Sequence, residues 1–309
     1  MTKSVLCIGA TLIDELYFCD QTIVPHTSNP ASKTSSIGGV VSNIMQHLAL
    51  LKVEVTCITA LGTDADGRFI TEEFQKRGIK WQDTLFVEDT TGKYVSILDA
   101  NGNLYVSVCQ DISEKYLTPA FLETKSDSIQ KADLIIMDTN LSSESLQWLI
   151  DFARRHQKDL IIEPVSIPKA AKLARLNLDG VLMISPNEAE LHAIATLETK
   201  DEIQLVKHLQ ERGVTKIWLS KGNNGSVLYD PTQTSSLGVP NIDILDSTGA
   251  GDAAVAGWVY GYVTGKSELI SMQLGHALAF QVLQVKGAVD LKITSEKLIK
   301  VKKTYYHDS

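Results

Sequence analysis

The chain has 309 residues, of which 44% are hydrophobic and 21% charged, and its formal net charge is -8. This length is enough to bury a large core, as one α/β domain or as a domain with a smaller appendage. The negative charge argues against a nucleic-acid partner, because a phosphate backbone requires a basic surface. No apolar stretch reaches the length of about 18 residues that a membrane span requires.

The four cysteines (Cys7, Cys19, Cys57 and Cys109) form no Cys-x-x-Cys pair. We predict that they are buried structural thiols rather than metal ligands or disulfides. The apolar run Val5–Ile8 is too short for a secretory signal and is typical of a first β-strand. Together these features predict a cytoplasmic protein, since the cytoplasm keeps thiols reduced.

Short apolar runs alternate with amphipathic helical stretches along most of the chain. Such alternation predicts right-handed crossovers and a parallel sheet that is covered by helices on both faces. The predicted strands are Val5–Gly9, Val55–Ala60, Leu134–Asp138, Leu160–Glu163, Val181–Ile184 and Lys216–Ser220, and the predicted helices include Gly39–Leu51 and Asp66–Arg77.

Two segments break this pattern. Glu15–Ile37 combines apolar residues with a long polar stretch, and Lys93–Cys109 alternates on both sides of Asn101-Gly102-Asn103. The second segment is a β-hairpin candidate because Asn-Gly accepts the positive φ of a tight turn. We predict that both segments build a small antiparallel sheet that projects from the α/β body. Two ordinary surface loops are the alternative.

The most informative motif is Asp246-Ser247-Thr248-Gly249-Ala250-Gly251-Asp252, which leads into an Ala-rich stretch. A Gly-Ala-Gly turn that opens a helix exposes backbone N–H groups at the positive end of the helix dipole. Such groups stabilise charge on a transferring phosphoryl group, and Asp252 is placed to accept the proton of an attacking hydroxyl. For Gly-x-Gly-Asp alone, a simple helix cap is the alternative. No Walker A loop or Gly-x-Gly-x-x-Gly occurs, which disfavours P-loop and dinucleotide-binding proteins.

This string resembles the C-terminal signature of the ribokinase-like (PfkB-type) sugar and nucleoside kinases, and further motifs in family order extend the resemblance along nearly the whole chain. The resemblance implies a single α/β kinase domain, residues 1–309, with a central mainly parallel sheet flanked by helices. A small β lid would comprise about residues 15–37 and 93–109, and in several members this lid forms a homodimer. ATP and Mg²⁺ would be required, and a requirement for a monovalent cation such as K⁺ stays open.

The resemblance also assigns roles to single residues. Read singly, Asp14 is an exposed turn residue, Asn187 and Glu190 are a helix-capping pair, and Lys221 is solvated. In the family, the catalytic centre would comprise Gly249, Ala250, Gly251 and Asp252; sugar hydroxyls would contact Asp14, Gly38, Gly39 and Asn43; the nucleotide would contact Asn187, Ser220, Lys221, Gly222, Gly225 and Thr248; and Asn187 with Glu190 would organise Mg²⁺, mainly through water.

Within the family, the pseudouridine kinases have the most similar pattern. Glu163 stands where that pattern has Asp, and Ser42 stands where a bacterial member has a basic residue. The predicted reaction is therefore phosphorylation of the 5′-hydroxyl of pseudouridine. A ribokinase-type sugar kinase, an adenosine-type nucleoside kinase and a catalytically silent nucleoside-binding regulator are the alternatives. The similar motifs are Ser28-Asn29-Pro30 with Lys33, Asp138-Thr139-Asn140, and Pro164-Val165-Ser166 with Lys169, so that Asn29, Lys33, Asn140 and Ser166 become candidate substrate contacts.

Overall fold

The computed structural model describes residues 3–306, so both ends of the predicted 1–309 domain lie outside the described residues. The strands are β1 Val5–Ile8, β2 Leu12–Cys19, β3 Ala31–Gly38, β4 Val55–Ile58, β5 Ala60–Gly62, β6 Leu85–Val87, β7 Lys93–Leu98, β8 Leu104–Gln110, β9 Leu134–Asp138, β10 Asp159–Glu163, β11 Met183–Ile184, β12 Lys216–Ser220, β13 Ser226–Tyr229 and β14 Thr234–Leu237. The helices are α1 Val40–Leu50, α2 Ala65–Arg77, α3 Ser113–Tyr116, α4 Pro119–Glu123, α5 Ser126–Lys131, α6 Ser143–Arg155, α7 Ile167–Ala170, α8 Glu188–Ala195, α9 Glu202–Glu211, α10 Ala250–Val263, α11 Glu268–Val282 and α12 Ser295–Tyr305, with 3-10 turns at Ala171–Arg175 and Gly222–Asn224.

The main sheet has eight strands in the order β14-β13-β12-β11-β10-β9-β1-β4. From β12 to β4 every neighbouring pair is parallel, whereas β13 and β14 extend the sheet with antiparallel pairs and β14 is its edge. The predicted mainly parallel sheet is confirmed. Its strands are continuous apolar runs because helices cover both faces.

Successive residues of β1 contribute to two separate apolar layers. Val5 and Cys7 pack with residues of α1, α10 and α11 on one face of the sheet. Leu6 and Ile8 pack with residues of α6, α8 and α9 on the other face. No helix among residues 3–306 has the length and apolar character needed to cross a membrane.

The long helices α10 and α11 approach each other closely because glycines lie at their contact. A Cβ atom at Gly257 would lie 2.5 Å from the Leu274 carbonyl oxygen, and one at Gly275 would lie 2.6 Å from the Ala254 carbonyl oxygen. Any larger side chain would force the two backbones apart. The start of α10 is therefore fixed against its neighbour at the edge of the sheet where the carboxyl ends of the strands lie.

The second sheet has the order β3-β2-β7-β8 and contains both segments that break the α/β pattern. Its outer pairs are antiparallel, but β2 and β7 are parallel, so the prediction of an antiparallel sheet is wrong for the central pair. The alternation of apolar and polar residues along a strand shows which face is buried. It does not show whether two neighbouring strands run parallel or antiparallel. Here the chain returns through α1 and α2 before it enters β7.

Three local predictions need correction. The predicted strand Val55–Ala60 ends at Ile58, and Ala60 begins a separate strand that pairs with β6. The predicted strand Val181–Ile184 is reduced to Met183–Ile184. The four cysteines are free thiols, as predicted, but Cys109 is exposed because it lies on the outer strand β8.

Candidate active site

Polar residues lie at the carboxyl ends of neighbouring parallel strands. Asp138 ends β9, Glu163 ends β10, Ser185 follows β11 and Ser220 ends β12. In open α/β sheets this edge forms the ligand crevice. The topology therefore brings together four polar side chains from separate parts of the sequence.

The Gly-Ala-Gly turn enters α10 in a conformation that requires glycine. Gly249 has φ +75, and a Cβ atom there would lie 2.5 Å from the Ala288 carbonyl oxygen. The Asp246 carboxylate holds the turn by accepting hydrogen bonds from Thr248 N and Gly287 N, both at 2.9 Å. A Cβ atom at Gly251 would meet nothing, so the first turn of α10 leaves open space beside its backbone amides. This is a cradle that suits an anion such as phosphate.

Asp252 is held by a residue from the other half of the chain. Asn43 Nδ2 donates a hydrogen bond to Asp252 Oδ2 at 2.8 Å, whereas Asn43 Oδ1 is buried without a partner among residues 3–306. Burial raises the pKa of Asp252 to about 7, the Asn43 hydrogen bond acts to lower the pKa, and the charges of Asp138 and Asp14 raise it further. A carboxyl group with a pKa near 7 suits general base catalysis at neutral pH.

Asp14 lies over a glycine pair at the start of α1. A Cβ atom at Gly38 would lie 2.2 Å from the Asp14 carboxyl carbon, and one at Gly39, which has φ +100, would lie 2.3 Å from the Ala10 carbonyl oxygen. Burial raises the pKa of Asp14 to about 6. Both positions therefore require glycine, which lets the Asp14 carboxyl group pack directly against the backbone at the start of α1. A carboxyl group in this place suits a ligand with neighbouring hydroxyls.

Asp138 is fully buried and joins three loops, although sequence reasoning did not include it among the site residues. Its Oδ2 accepts hydrogen bonds from Ala10 N at 3.2 Å and Val41 N at 3.4 Å, and its Oδ1 accepts one from Asn140 N at 3.0 Å. Burial raises its pKa to about 6, against the hydrogen bonds from Asn140. The motif around Asn140 was the available signal, since a strand-end Asp in a βα unit is placed at the crevice.

Glu163 lies between Asp138 and the start of α10. Its carboxylate accepts a hydrogen bond from Ser185 Oγ. Burial raises the pKa of Glu163 well above its usual range, the Ser185 hydrogen bond opposes this, and the charges of Asp252 and Glu190 add to the rise. Glu163 therefore belongs to the same electrostatic cluster as Asp252, despite its departure from the Asp of the family pattern.

Asn187 and Glu190 form a reciprocal capping box at the start of α8. Asn187 N donates to Glu190 Oε2, and Glu190 N donates to Asn187 Oδ1, each at 2.9 Å. Both residues also line the main cavity. Among residues 3–306 no three His, Cys, Asp or Glu side chains cluster in an arrangement that holds a metal directly. Any cation here would keep several of its waters, as Mg²⁺ commonly does.

A cavity of about 720 Å³ runs from this cluster along the start of α10. Lys221 does not line it, because its ammonium group is paired with Glu202 at 2.6 Å, and Thr248 is exposed outside it. The apolar wall of the cavity had no signal in the sequence. The cavity is lined by Ser220, Gly222, Gly225, Ala250, Gly251 and Asp252, and its apolar wall is formed by Val239, Pro240, Ile242 and Ile244.

Two candidate substrate residues, one in the loop between β2 and β3 and one on β3, lie apart from this cluster. The Asn29 side chain closes its own loop, because Oδ1 accepts from Val24 N at 2.8 Å and Nδ2 donates to Val24 O at 2.9 Å. Lys33 lies across from Tyr17, on the face opposite Asp14, and its ammonium group is 3.2 Å from Glu15 Oε1. Because side chains alternate along a strand, Lys33 and Asp14 lie on opposite faces of the second sheet.

Asn140 and Ser166 lie near a lysine that sequence reasoning noted but did not include among the site residues. Asn140 is buried, and its Oδ1 accepts a hydrogen bond from Lys169 Nζ. Lys169 is also 3.8 Å from Asp111 Oδ2. Ser166 begins the short helix α7 that carries Lys169. The spacing of Ser166 and Lys169 was the signal for this pair.

Comparisons with known proteins agree with this geometry. The pfkB family carbohydrate kinase profile matches residues 2–294. The chain belongs to the pfkB family of carbohydrate kinases. As a member it is a sugar or nucleoside kinase, an ATP-dependent phosphotransferase.

Three relatives illustrate the range of the family. The pseudouridine kinase of Escherichia coli is 29% identical over 266 residues, which cover 84% of each chain. A carbohydrate kinase from Agrobacterium tumefaciens superposes with a TM-score of 0.87 at 26% identity over 98% of each chain. The Arabidopsis thaliana ribokinase complexed with ribose and ATP gives a TM-score of 0.84 at 20% identity, over 98% of this chain and 99% of that one. The ribokinase-like fold and the resemblance to pseudouridine kinases are confirmed.

We predict that Asp252→Asn stabilises this kinase at high pH. The folded pKa of Asp252, about 7, lies above its unfolded value of about 4. The folded state therefore binds the proton more tightly, and the contribution of this group to stability is lost as the pH rises from about 4 to about 7. Asparagine removes the charge and keeps an acceptor for Asn43. We expect a gain in Tm of a few degrees at pH 8 that disappears near pH 4, measured by calorimetry.

The exposed Asp20 offers the matched control, because Asp20→Asn removes one carboxylate outside the cluster. Its Tm should match the wild type at both pH values. An Asp252→Asn variant whose Tm differs from the wild type equally at pH 4 and pH 8 contradicts the charge argument.

Proposed function

We propose that this kinase transfers the γ-phosphoryl group of ATP to the 5′-hydroxyl of pseudouridine, and that residues 1–309 act as one kinase unit with the second sheet as its lid. The observation that carries the proposal is the position of Asp252. It lies between the Gly-Ala-Gly turn and Asp14, held by Asn43, with its pKa near 7. A base in that position accepts the proton of a hydroxyl that attacks a phosphorus atom at the turn.

The phosphate end of the nucleotide is assigned to the turn. The amides of Gly249 and Gly251 supply positive partial charge where the transferring group gains negative charge, whereas Ala250 N already donates to Ser247 O at 3.3 Å. The open space at Gly251 supports this assignment. The rest of the nucleotide lies along the strand-end loop of Ser220, Gly222 and Gly225, in a cavity whose size suits a nucleotide.

Mg²⁺ is assigned to the carboxylate side of this cavity. When bound, it neutralises phosphate charge during transfer. Glu190 and Asn187, with Glu163 beside them, present oxygen ligands that reach a hydrated ion. Burial first, and then the charges of Asp252 and Glu190, raise the pKa of Glu163, so a cation here would favour its ionised form. K⁺ is a further hypothesis, and ADP release with K⁺ or with a bulky organic cation decides it.

The acceptor is assigned to the space between the lid and the body. Asp14, the Gly38-Gly39 backbone and the unpartnered Asn43 Oδ1 face the ribose hydroxyls. On the base side, Asn140 and Ser166 with Lys169 offer polar atoms for the edges of a pyrimidine ring. Asn29 and Lys33 stay candidates only if the lid rearranges, because loop and salt-bridge contacts occupy both side chains.

A cytoplasmic location is the compartment we propose. The four cysteines are free thiols, and three of them are buried in the core. Free thiols persist in a reducing compartment.

We predict that Asp252→Asn lowers kcat by about 10²–10⁴-fold while the Kd for ADP changes little, because asparagine cannot accept a proton. In the wild type, kcat/KM should rise with pH through about 7 as Asp252 loses its proton. Steady-state ADP release and calorimetric ADP binding measure the two effects. Asp20→Asn should behave as the wild type. A folded Asp252→Asn variant that keeps more than about a third of kcat removes Asp252 from the role of base.

We predict that pseudouridine is preferred over uridine, adenosine and ribose as acceptor. Pseudouridine carries an extra N–H donor on its base, and a site that pairs this donor discriminates by up to about 10⁴-fold. Lys169→Met should raise KM for pseudouridine and leave KM for ribose unchanged. Lys172→Met is the control, since Lys172 pairs with Glu114 outside the cluster.

The readout is kcat/KM for the four acceptors under identical Mg·ATP. A higher kcat/KM for ribose or adenosine makes the pseudouridine assignment wrong and leaves the kinase assignment intact. If none of the four acceptors is phosphorylated, other sugars and nucleosides are tested before a silent regulator is considered.

We propose in addition that two copies of the chain associate through the lid. Strand β8 is an edge of the second sheet, and its apolar side chains Leu104, Tyr105, Val106 and Val108 are exposed, Val108 by 64%. An unpaired apolar edge strand is a template for another strand, and the same strand of a second copy is its symmetric partner.

We predict that Val108→Glu converts this dimer into a monomer, because it places a charge in the apolar interface. Analytical ultracentrifugation at micromolar concentration measures the mass. Val24→Glu, on an exposed loop of the lid, is the matched control and should stay dimeric. A wild-type protein that is monomeric at tens of micromolar contradicts the proposal.

A further inference from the structure

A chain of hydrogen bonds lies beside the cavity, in the wall away from Asp252. Trp218 Nε1 is 2.9 Å from Ser226 Oγ, which is 2.8 Å from His276 Nε2. His276 Nδ1 is 2.9 Å from Tyr306 Oη, which is 3.0 Å from the Gly238 carbonyl oxygen. Four side chains from β12, β13, α11 and the end of α12 thus connect in one line to the backbone of Gly238.

The two ends of this line and the protonation state of His276 together determine the direction of the bonds in it. The indole N–H of Trp218 only donates and the Gly238 carbonyl only accepts. The single hydrogen of Tyr306 Oη goes to that carbonyl, so Tyr306 accepts a hydrogen from His276 Nδ1. Burial lowers the pKa of His276 to about 4, so the ring is neutral at pH 7 and its single hydrogen lies on Nδ1. His276 Nε2 is then the acceptor for the hydroxyl of Ser226.

Gly238 begins the segment 239–244, which supplies the apolar wall of the cavity through Val239, Pro240, Ile242 and Ile244. Within residues 3–306, the backbone of this segment makes no hydrogen bond to another backbone group. The next backbone contact along the chain is Leu245 N to Leu283 O at 2.8 Å. The wall is thus held at its start by Tyr306 and by the pairing of Leu237 with Ser226, and after its end by Leu283.

We propose that Tyr306 is a positioning residue for the nucleotide base, because its hydroxyl fixes the start of the wall segment 239–244 and the orientation of His276. This inference rests on the proposed nucleotide cavity, and it concerns the base, remote from the phosphoryl centre at Asp252. Loss of the hydroxyl removes the hydrogen bond to Gly238 O and the Tyr306 acceptor of the His276 ring N–H. The start of the wall then keeps only the strand pairing of Leu237 with Ser226, and a base that packs against the wall binds more weakly.

Tyr306→Phe tests this role because it keeps the ring, which stacks on Phe280 at a centroid distance of 6.2 Å, and removes only the hydroxyl. We expect Kd for ADP to rise about tenfold, with KM for the acceptor and kcat within about twofold of the wild type. The matched control is Tyr305→Phe. Tyr305 also packs on Phe280, at a centroid distance of 5.2 Å, and it lies beside the same wall segment. Within residues 3–306, no hydrogen bond from its hydroxyl holds that segment.

The nitrogen chemical shifts of His276 supply a readout that is independent of turnover. Wild-type protein between pH 6 and pH 8 should show a neutral ring with the hydrogen on Nδ1, and Tyr306→Phe should shift the ring toward the other tautomer. His276→Asn identifies the signal among the seven histidines.

A wild-type ring that is protonated or carries its hydrogen on Nε2 overturns the proposal, and so does a Tyr306→Phe variant that binds ADP as tightly as the wild type. An equal loss of ADP affinity in Tyr305→Phe and Tyr306→Phe also overturns it, because the loss then comes from ring packing. A wild-type protein that binds no ADP contradicts the nucleotide cavity itself, whereas the tautomer still reports on the hydrogen-bond chain.

Discussion

The hydrogen bond from Asn43 Nδ2 to Asp252 Oδ2 joins the first turns of two helices that lie 209 residues apart in the sequence. It requires both helices to begin at the same edge of the sheet, which parallel strands with helical crossovers provide. It also requires backbone conformations and close contacts at Gly39 and Gly249 that only glycine permits. The proposed base is thus fixed by the fold of the whole chain.

The same edge concentrates carboxyl groups that oppose one another. Burial raises the pKa of Asp14, Asp138 and Asp252 to between about 6 and about 7, and it raises the pKa of Glu163 well above its usual range. Each buried charge costs folding stability at neutral pH, because the unfolded chain ionises it freely. A ligand that brings positive charge or hydrogen-bond donors offsets this cost. The carboxyl groups of the site therefore lower the stability of the unliganded protein.

Local patterns in the sequence predicted much of this arrangement. The strands Leu134–Asp138 and Lys216–Ser220 are confirmed at their predicted bounds because continuous apolar runs bounded by polar residues define buried strands. The Gly249–Asp252 turn was predictable, because a turn with positive φ and close backbone contacts requires glycine. Asn43 and Asp252 were both predicted as site residues, whereas their direct contact depends on a crossing of α1 and α10 that no local pattern encodes.

Contacts between distant side chains account for what the sequence did not predict. Lys33 and Asp14 both belong to the lid, yet the strand register puts them on opposite faces, and Lys221 is paired with a glutamate nineteen positions earlier. A basic residue near a predicted phosphate site is thus no evidence of phosphate contact until its partners are known. Tyr306 shows the opposite case, since it lies outside every sequence motif. Its proposed positioning role depends on hydrogen bonds that connect four side chains, and no residue next to it in the sequence indicates that role.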